Sequence, residues 1–284
     1  MPSPGSQPRG VGPVTPHLFV PTARRPLRAK RALYAAETRV VPHSHAWAQL
    51  AYSATGVIRL TAELGTYLVP PSRAVWIPPK VEHAITVVES CELRTLYLHQ
   101  PKGRCGPLVV TSDGDDQRWR HCRVLEVSDL VRALVLALPT RSDAEAPLDA
   151  DELRRERLVG GLISNELQRA PALPIGVPLP EDKRLRALCE AMLDDPARHA
   201  SLEAWSQDAG ASARTIARLF RSELGTSFGQ WRQQALLARA VTLAARGRPI
   251  GRIAAELGYA SPSAFSAMVR RSFGAPPSRF FASA

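Results

Sequence analysis

Apolar and polar residues follow a short period through the first half of the chain and a helical one through the second. Between 32 and 127, apolar or alternating runs at 48–53, 57–61, 65–69, 74–77, 84–88 and 93–99 predict short β-strands. Turn signals separate them: Ala54-Thr55-Gly56, Pro70-Pro71-Ser72 and Pro78-Pro79-Lys80. Such closely spaced, punctuated strands predict an antiparallel barrel or jelly roll. From Ser128 the spacing changes. Leu130, Leu134 and Leu138, then Leu153, Leu158, Leu162 and Leu167, predict two helices within 128–169 that pack on the barrel or pair between subunits. The segment 170–180 carries prolines at 171, 174, 178 and 180, which remove N–H donors and restrict their predecessors, so it reads as a stiff extended linker. Residues 181–284 read as helix broken at Gly210, Gly225, Gly247, Gly258 and Gly274. Residues 1–31, rich in Pro, Gly and Arg with little periodicity, predict a disordered basic arm. The fold class is α+β in several parts: a β-barrel of 32–127, helices of 128–169, a linker of 170–180 and an all-α domain of 181–284.

Within the last part, Ser201 stands as a helix cap before Leu202-Glu203-Ala204-Trp205, and that helix ends at Gly210. Ser212 caps a second helix over 213–224, with Ile216, Leu219 and Phe220 inward and Arg214, Thr215, Arg218 and Arg221 along the other side. The layout recurs. A first helix over 250–257, a turn at Gly258-Tyr259-Ala260 and a second helix over 261–272 place Phe265 and Val269 inward. Pro262 sits early in that helix, where a missing N–H costs nothing. Residues 228–246 read as a long helix joining the two units. One helix-turn-helix pattern is a weak signal, but two in tandem, both bearing arginines, are a strong one.

Charge agrees with this division. The net charge is +11, and residues 32–180 contribute none of the excess. Within 210–284 eleven arginines face only Glu223 and Glu256, the footprint of a polyanion binder. Cys91, Cys105, Cys122 and Cys189 show no Cys-x-x-Cys spacing, which argues against a zinc ribbon and a disulfide framework. No apolar run approaches the roughly 20 residues of a membrane span, and none follows the basic N-terminus as in a secretory signal, so a cytoplasmic protein without a membrane partner is expected.

The residues 181–284 resemble the AraC/XylS DNA-binding domain. The carriers are Leu202-x-x-Trp-Ser-x-x-Ala-Gly210, Arg218-Leu-Phe-Arg-x-Glu-Leu-Gly225, Gln230-Trp-Arg, Ile253-Ala-x-Glu-Leu-Gly-Tyr-x-Ser-Pro-Ser-Ala-Phe265 and Arg271-Ser-Phe-Gly-Ala-Pro-Pro-Ser-Arg279-Phe280. The resemblance implies a transcription regulator whose two second helices enter successive major grooves of double-stranded DNA. By position, Arg214, Thr215, Ala217 and Arg218 face bases in the first unit, with Arg221 alongside. Ser261, Pro262, Ser263, Ser266 and Ala267 do so in the second, where Arg270 and Arg271 suit phosphates. A purely architectural DNA binder, with little sequence preference and affinity governed by salt, is the competing reading of this half.

In the first half, His43-Ser-His45-Ala-Trp-Ala-Gln49 and Pro78-Pro-Lys-Val-Glu-His83 resemble the two cupin motifs, with Gln49 where metal cupins carry glutamate and Lys80 where they carry glycine. Two histidines two residues apart point to one side of a strand, and a third from a neighbouring strand completes a facial set. His43, His45, Gln49 and His83 are therefore candidates either for a divalent metal or for hydrogen bonds to a small effector. Trp47, Tyr52, Trp76 and Tyr97 are expected in the core or pocket wall. A metal-dependent cupin enzyme is the alternative from another class, disfavoured because no paired carboxylate or nucleophile stands nearby. Together the halves resemble a cupin-containing AraC-type subfamily. That implies an effector-controlled regulator of an adjacent transporter or metabolic gene, acting as a homodimer and admitting RNA polymerase as a partner.

Overall fold

The computed structural model describes residues 10–11, 15–62, 65–71, 73–107, 117–173, 176–195, 197–199, 201–273 and 276–280. In chain order the first elements are β1 (Gly10–Val11), β2 (Leu27–Tyr34), β3 (Arg39–His43), β4 (Ala48–Thr55), β5 (Ile58–Ala62), β6 (Gly65–Val69), β7 (Arg73–Ile77), β8 (His83–Val87), β9 (Cys91–Leu98) and β10 (Arg123–Glu126). Then come α1 (Asp129–Ala137), α2 (Ala150–Arg169), β11 (Ala172–Leu173), β12 (Gly176–Val177), α3 (Lys183–Asp194), α4 (Leu202–Asp208), α5 (Ala213–Leu224), α6 (Phe228–Ala245), α7 (Ile250–Glu256), α8 (Pro262–Phe273) and α9 (Pro277–Phe280). The chain forms two compact units, one of 1–63 and 69–173, the other of 64–68 and 174–284.

In the first unit the strands form two sheets rather than a closed barrel. One runs β1-β3-β8-β5 and the other β11-β10-β7-β4-β9-β2. Apart from parallel β1 and β3, the pairings are antiparallel. On the second sheet, Leu27, Ala29, Leu50, Tyr52, Trp76, Leu96 and Leu98 pack with Val131, Val135, Ile163 and Leu167 of α1 and α2 into one core. Burial of a side chain of this size stabilises by roughly 1.5–3 kcal/mol. Trp76 anchors the layer: its indole N–H donates to the Trp119 carbonyl at 2.9 Å.

The structure departs from the sequence pattern in three places. The ordered chain begins before residue 32, since Pro16–Phe19 form a 3-10 turn and β2 starts at Leu27. Arg25 holds the buried Glu156 of α2 through two hydrogen bonds, at 2.8 and 2.6 Å, so this stretch is fixed by charge-assisted contacts. Residues 1–9 and 12–14 of the expected arm lie outside the described residues. Second, on α1 Val131 and Val135 are buried together with Leu138, and Leu134 is partly buried against the same core, so Leu130 alone of the three leucines turns outward; in α2 the buried face is Glu156, Gly160, Ile163 and Leu167. Leu130, Leu158 and Leu162 are exposed. Third, the linker is extended but paired: β11 joins β10, and β12 joins β6 with Gly176 opposite Tyr67.

The second unit is helical. Its core gathers Trp205, Ile216, Phe220, Trp231, Ile253, Phe265 and Val269, all nearly inaccessible. Ser227 and Gln230 form a capping box that starts α6. Trp231, in the first turn of that helix, donates to the Pro178 carbonyl at 2.6 Å and packs near Phe220. Among the described residues no helix is long and apolar enough to cross a membrane.

Candidate histidine site and DNA-reading helices

His43 ends β3 and His83 opens β8; the two are register partners across that antiparallel pair. His45 lies in the turn that leads into β4, and Gln49 lies on β4. One ring nitrogen from each histidine lies within 4.8 Å of the others. In each ring Nδ1 approaches a backbone carbonyl: Val41 at 2.9 Å for His43, Trp47 at 2.7 Å for His45 and Val81 at 3.0 Å for His83. A carbonyl only accepts, so Nδ1 carries the proton and Nε2 keeps its lone pair. This is the outer-shell arrangement that aims imidazoles at a metal.

Burial reinforces that state. His83 is 1 % exposed and its Nε2 meets no hydrogen-bond partner. Burial, chiefly, pushes its pKa down to about 3, and burial lowers that of His45 as well, so both rings are neutral near pH 7. Gln49 Oε1 stands 2.8 Å from His45 Nε2. The Gln49 amide, turned with its NH2 toward the ring, donates to that lone pair. The three converging imidazoles fit a divalent ion of the first transition row.

Aromatic side chains form the wall. The Trp47 ring stacks on His45 with centroids 5.0 Å apart, and Tyr97 meets His45 edge-on at 5.5 Å. The indole N–H of Trp47 is buried without a hydrogen-bond partner. The sequence alone places Trp47 and Tyr97 in the core or pocket wall; the alternation that Trp47 shares with His45 and Gln49 is what puts it on the histidine side.

In the helical unit, α4 and α7 each have 7 residues, and α5 and α8 each have 12. Gly210 and Gly258 turn the chain between the members of each pair at φ 59° and 76°, where any side chain would be strained. Ser212 Oγ accepts the Thr215 N–H and Ser261 Oγ accepts the Ala264 N–H, so both second helices start with the same serine cap. Arg214, Arg218 and Arg221 form an exposed stripe along α5, and Ser263, Ala267 and Arg270 form the corresponding stripe on α8. Thr215 is partly covered and its hydroxyl lies 2.9 Å from Ser212 Oγ; Ala217, Ser261 and Ser266 are also partly covered, whereas Pro262 and Arg271 are exposed. Leu219, expected inward, is only partly buried. The one acid of α5, Glu223, accepts the backbone N–H groups of Glu181 and Asp182 at 2.8 and 3.0 Å, which leaves the arginine stripe uncompensated.

Comparison with known proteins agrees with this division. Residues 30–158 match the AraC-like ligand binding domain, and residues 205–283 match a helix-turn-helix domain family. Over 240 residues the chain is 33% identical to the HTH-type transcriptional regulator NimR of Escherichia coli K12, covering 84% of this chain and 81% of that protein. It is 36% identical over 103 residues to the HTH-type transcriptional regulator RipA of Corynebacterium glutamicum, covering 36% of this chain and 31% of that one. The relatives are regulators, which answers the enzyme alternative. Both halves match in the order that such regulators require, so this chain belongs to the AraC family of transcription regulators.

Proposed function

We propose that the protein reads a specific operator with α5 and α8 and adjusts that binding to a small effector held in the β unit. The carrying observation is the stripe Arg214, Arg218 and Arg221, exposed on the second helix of a helix-turn-helix with no carboxylate against it among the described residues. Arginine's fork matches O6 and N7 of guanine, so Arg214 and Arg218 read bases, with Thr215 and Ala217 lining the same approach. On α8 the corresponding surface of Ser261, Pro262, Ser263, Ser266 and Ala267 offers small groups, and Arg270 and Arg271 take phosphates. The 18 residues of α6 span about 27 Å, on the scale of the roughly 34 Å helical turn between successive major-groove segments.

The effector site is the pocket of His43, His45, Gln49 and His83, with a divalent ion as its resident cofactor; the ion supplies an electrophilic point for an effector's donor atom. The exposed leucines of α1 and α2 support a homodimer formed through 128–169. Effector binding then acts by favouring one arrangement of the DNA-binding units, which requires that the two arrangements differ in effector affinity. The cytoplasm, RNA polymerase as a partner and an adjacent transporter or metabolic gene as target complete the reading. Selection of bound duplexes from a random library tests it, run with the unaltered protein and with Arg218→Ala. A defined motif, relaxed in the variant, is expected. Recovery of no motif, with binding abolished at moderate salt, would reduce this half to an architectural binder.

A further inference from the structure

Glu223 sits where its own helix disfavours it. It is the penultimate residue of α5, close to the carbonyl end, whose partial negative charge repels a carboxylate. Its place nine residues beyond Arg214 is about 180° of rotation away on an α-helix, so it faces away from the arginine stripe. Ile216 and Phe220, the buried residues of α5, lie on its side of the helix. What it meets there is the amino end of α3, whose partial charge has the opposite sign. Glu223 Oε2 accepts the N–H groups of Glu181 and Asp182 at 2.8 and 3.0 Å, while Asp182 Oδ1 accepts those of Arg184 and Leu185, both at 2.9 Å. The start of α3 is therefore satisfied by two carboxylates, and one of them belongs to α5.

The chain that enters α3 is gripped further back as well. The Trp231 indole N–H donates to the Pro178 carbonyl at 2.6 Å, and its ring lies 5.8 Å from that of Phe220. Val177 and Leu179, on either side of Pro178, are buried. At the start of this stretch β12 is seated on β6, where a methyl group on Gly176 would stand 2.6 Å from a Tyr67 ring carbon. Residues 176–182 thus run from a strand pairing that leaves no room for a side chain to a carboxylate on α5.

We propose that Glu223 is a positioning residue for operator recognition: by holding the N–H groups of Glu181 and Asp182 it fixes the orientation of α5 against the end of the linker. The inference rests on the proposal that α5 reads the operator, and adds the residue that aims the helix. Charge alone predicts the opposite effect, since removing a carboxylate from a basic domain strengthens its attraction to phosphates. Glutamine loses the charge but keeps an oxygen that accepts two N–H groups; aspartate keeps the charge but is one carbon shorter.

The test is fluorescence anisotropy of the full chain on two duplexes, the motif recovered by library selection and a random sequence. Glu223→Ala is expected to bind the motif at least fivefold more weakly while binding the random duplex as tightly as before or more tightly. Glu223→Gln is expected to stay within fivefold of the unaltered protein on the motif. A loss below fivefold in Glu223→Ala, an equal loss on both duplexes, or a loss of fivefold or more in Glu223→Gln overturns the inference. Should the alanine variant fail to fold, Glu223→Asp takes its place against Glu223→Gln under the same limits. Amide hydrogen exchange separates this inference from the proposal it rests on. Faster exchange at 181 and 182 and along α5 in Glu223→Ala, but not in Glu223→Gln, supports the tie; if selection then recovers no motif, it is operator reading that fails. Exchange unchanged by Glu223→Ala, with the motif still recovered, overturns the tie and leaves operator reading standing.

Discussion

Arg218 and Ala267 occupy the same place in two helices of equal length, the sixth residue of α5 and of α8. Each lies on the exposed side, four residues beyond Arg214 and Ser263 respectively. One helix presents a long bidentate donor where its counterpart presents a methyl group. Arg218→Ala is expected to cost about 1–3 kcal/mol on the preferred operator and to relax one base position, whereas Ala267→Gly leaves base preference nearly unchanged. Binding titrations against single-base operator variants measure both; equal loss on every base would refute base reading by Arg218.

Arg270 and Arg271 are expected to behave differently. Replacing either by alanine should weaken specific and random duplexes alike and lower the slope of log affinity against log salt by about 0.9 for each phosphate left without its arginine. An unaltered slope in the double variant would show that neither meets a phosphate.

Leu158 is 67% exposed and Leu162 43%, one helical turn apart on α2. If this ridge is buried between protomers, Leu158→Glu with Leu162→Glu converts a dimer to a monomer in sedimentation velocity without lowering the unfolding temperature. An unaltered protein that sediments as a monomer at tens of micromolar, by contrast, would remove the homodimer from the proposal.

The histidine site makes a graded prediction. His83→Ala is expected to abolish binding of Zn²⁺ or Ni²⁺ measured by competition with a chromophoric chelator. Gln49→Glu adds a negative oxygen and tightens binding, since carboxylates are the stronger ligands of divalent ions. Weaker binding by Gln49→Glu would place position 49 outside the reach of the ion.

Lys30 gives a pH dependence of definite sign. Burial lowers its pKa to about 8 from 10.5, so the unfolded chain holds more protons than the folded one between these values. Stability therefore rises with pH across that window, by at most about 1.4 kcal/mol per pH unit from this one group. Denaturant titrations of the unaltered protein and Lys30→Met from pH 7 to 10.5 should converge toward the alkaline end. Parallel curves would mean that Lys30 keeps an ordinary pKa.

Legibility in the sequence followed the physics of each segment. Strand β6 matches the expected 65–69, because apolar residues between turn signals leave few alternatives. Strand β2 escaped notice because Arg28 and Lys30 occupy its inward positions, so its alternation puts cations where apolar residues are expected. On α1 the leucine spacing locates Leu134 and Leu138 against the core but passes over Val131 and Val135, which are buried beside them while Leu130 is exposed. The serine caps and turn glycines made the repeated unit readable, since each performs a local backbone task. The histidine cluster was readable only as a resemblance. The carbonyl behind each ring belongs to backbone geometry, which side-chain letters do not encode.

On the proposed reading, the unequal surfaces of α5 and α8 give the molecule a sense of direction. A complex with one demanding end and one permissive end cannot be turned around on its target without giving up its strongest interactions. Even a single protomer would therefore lie on the double helix with a front and a back, and whatever it touches beyond the operator would be met from one side only.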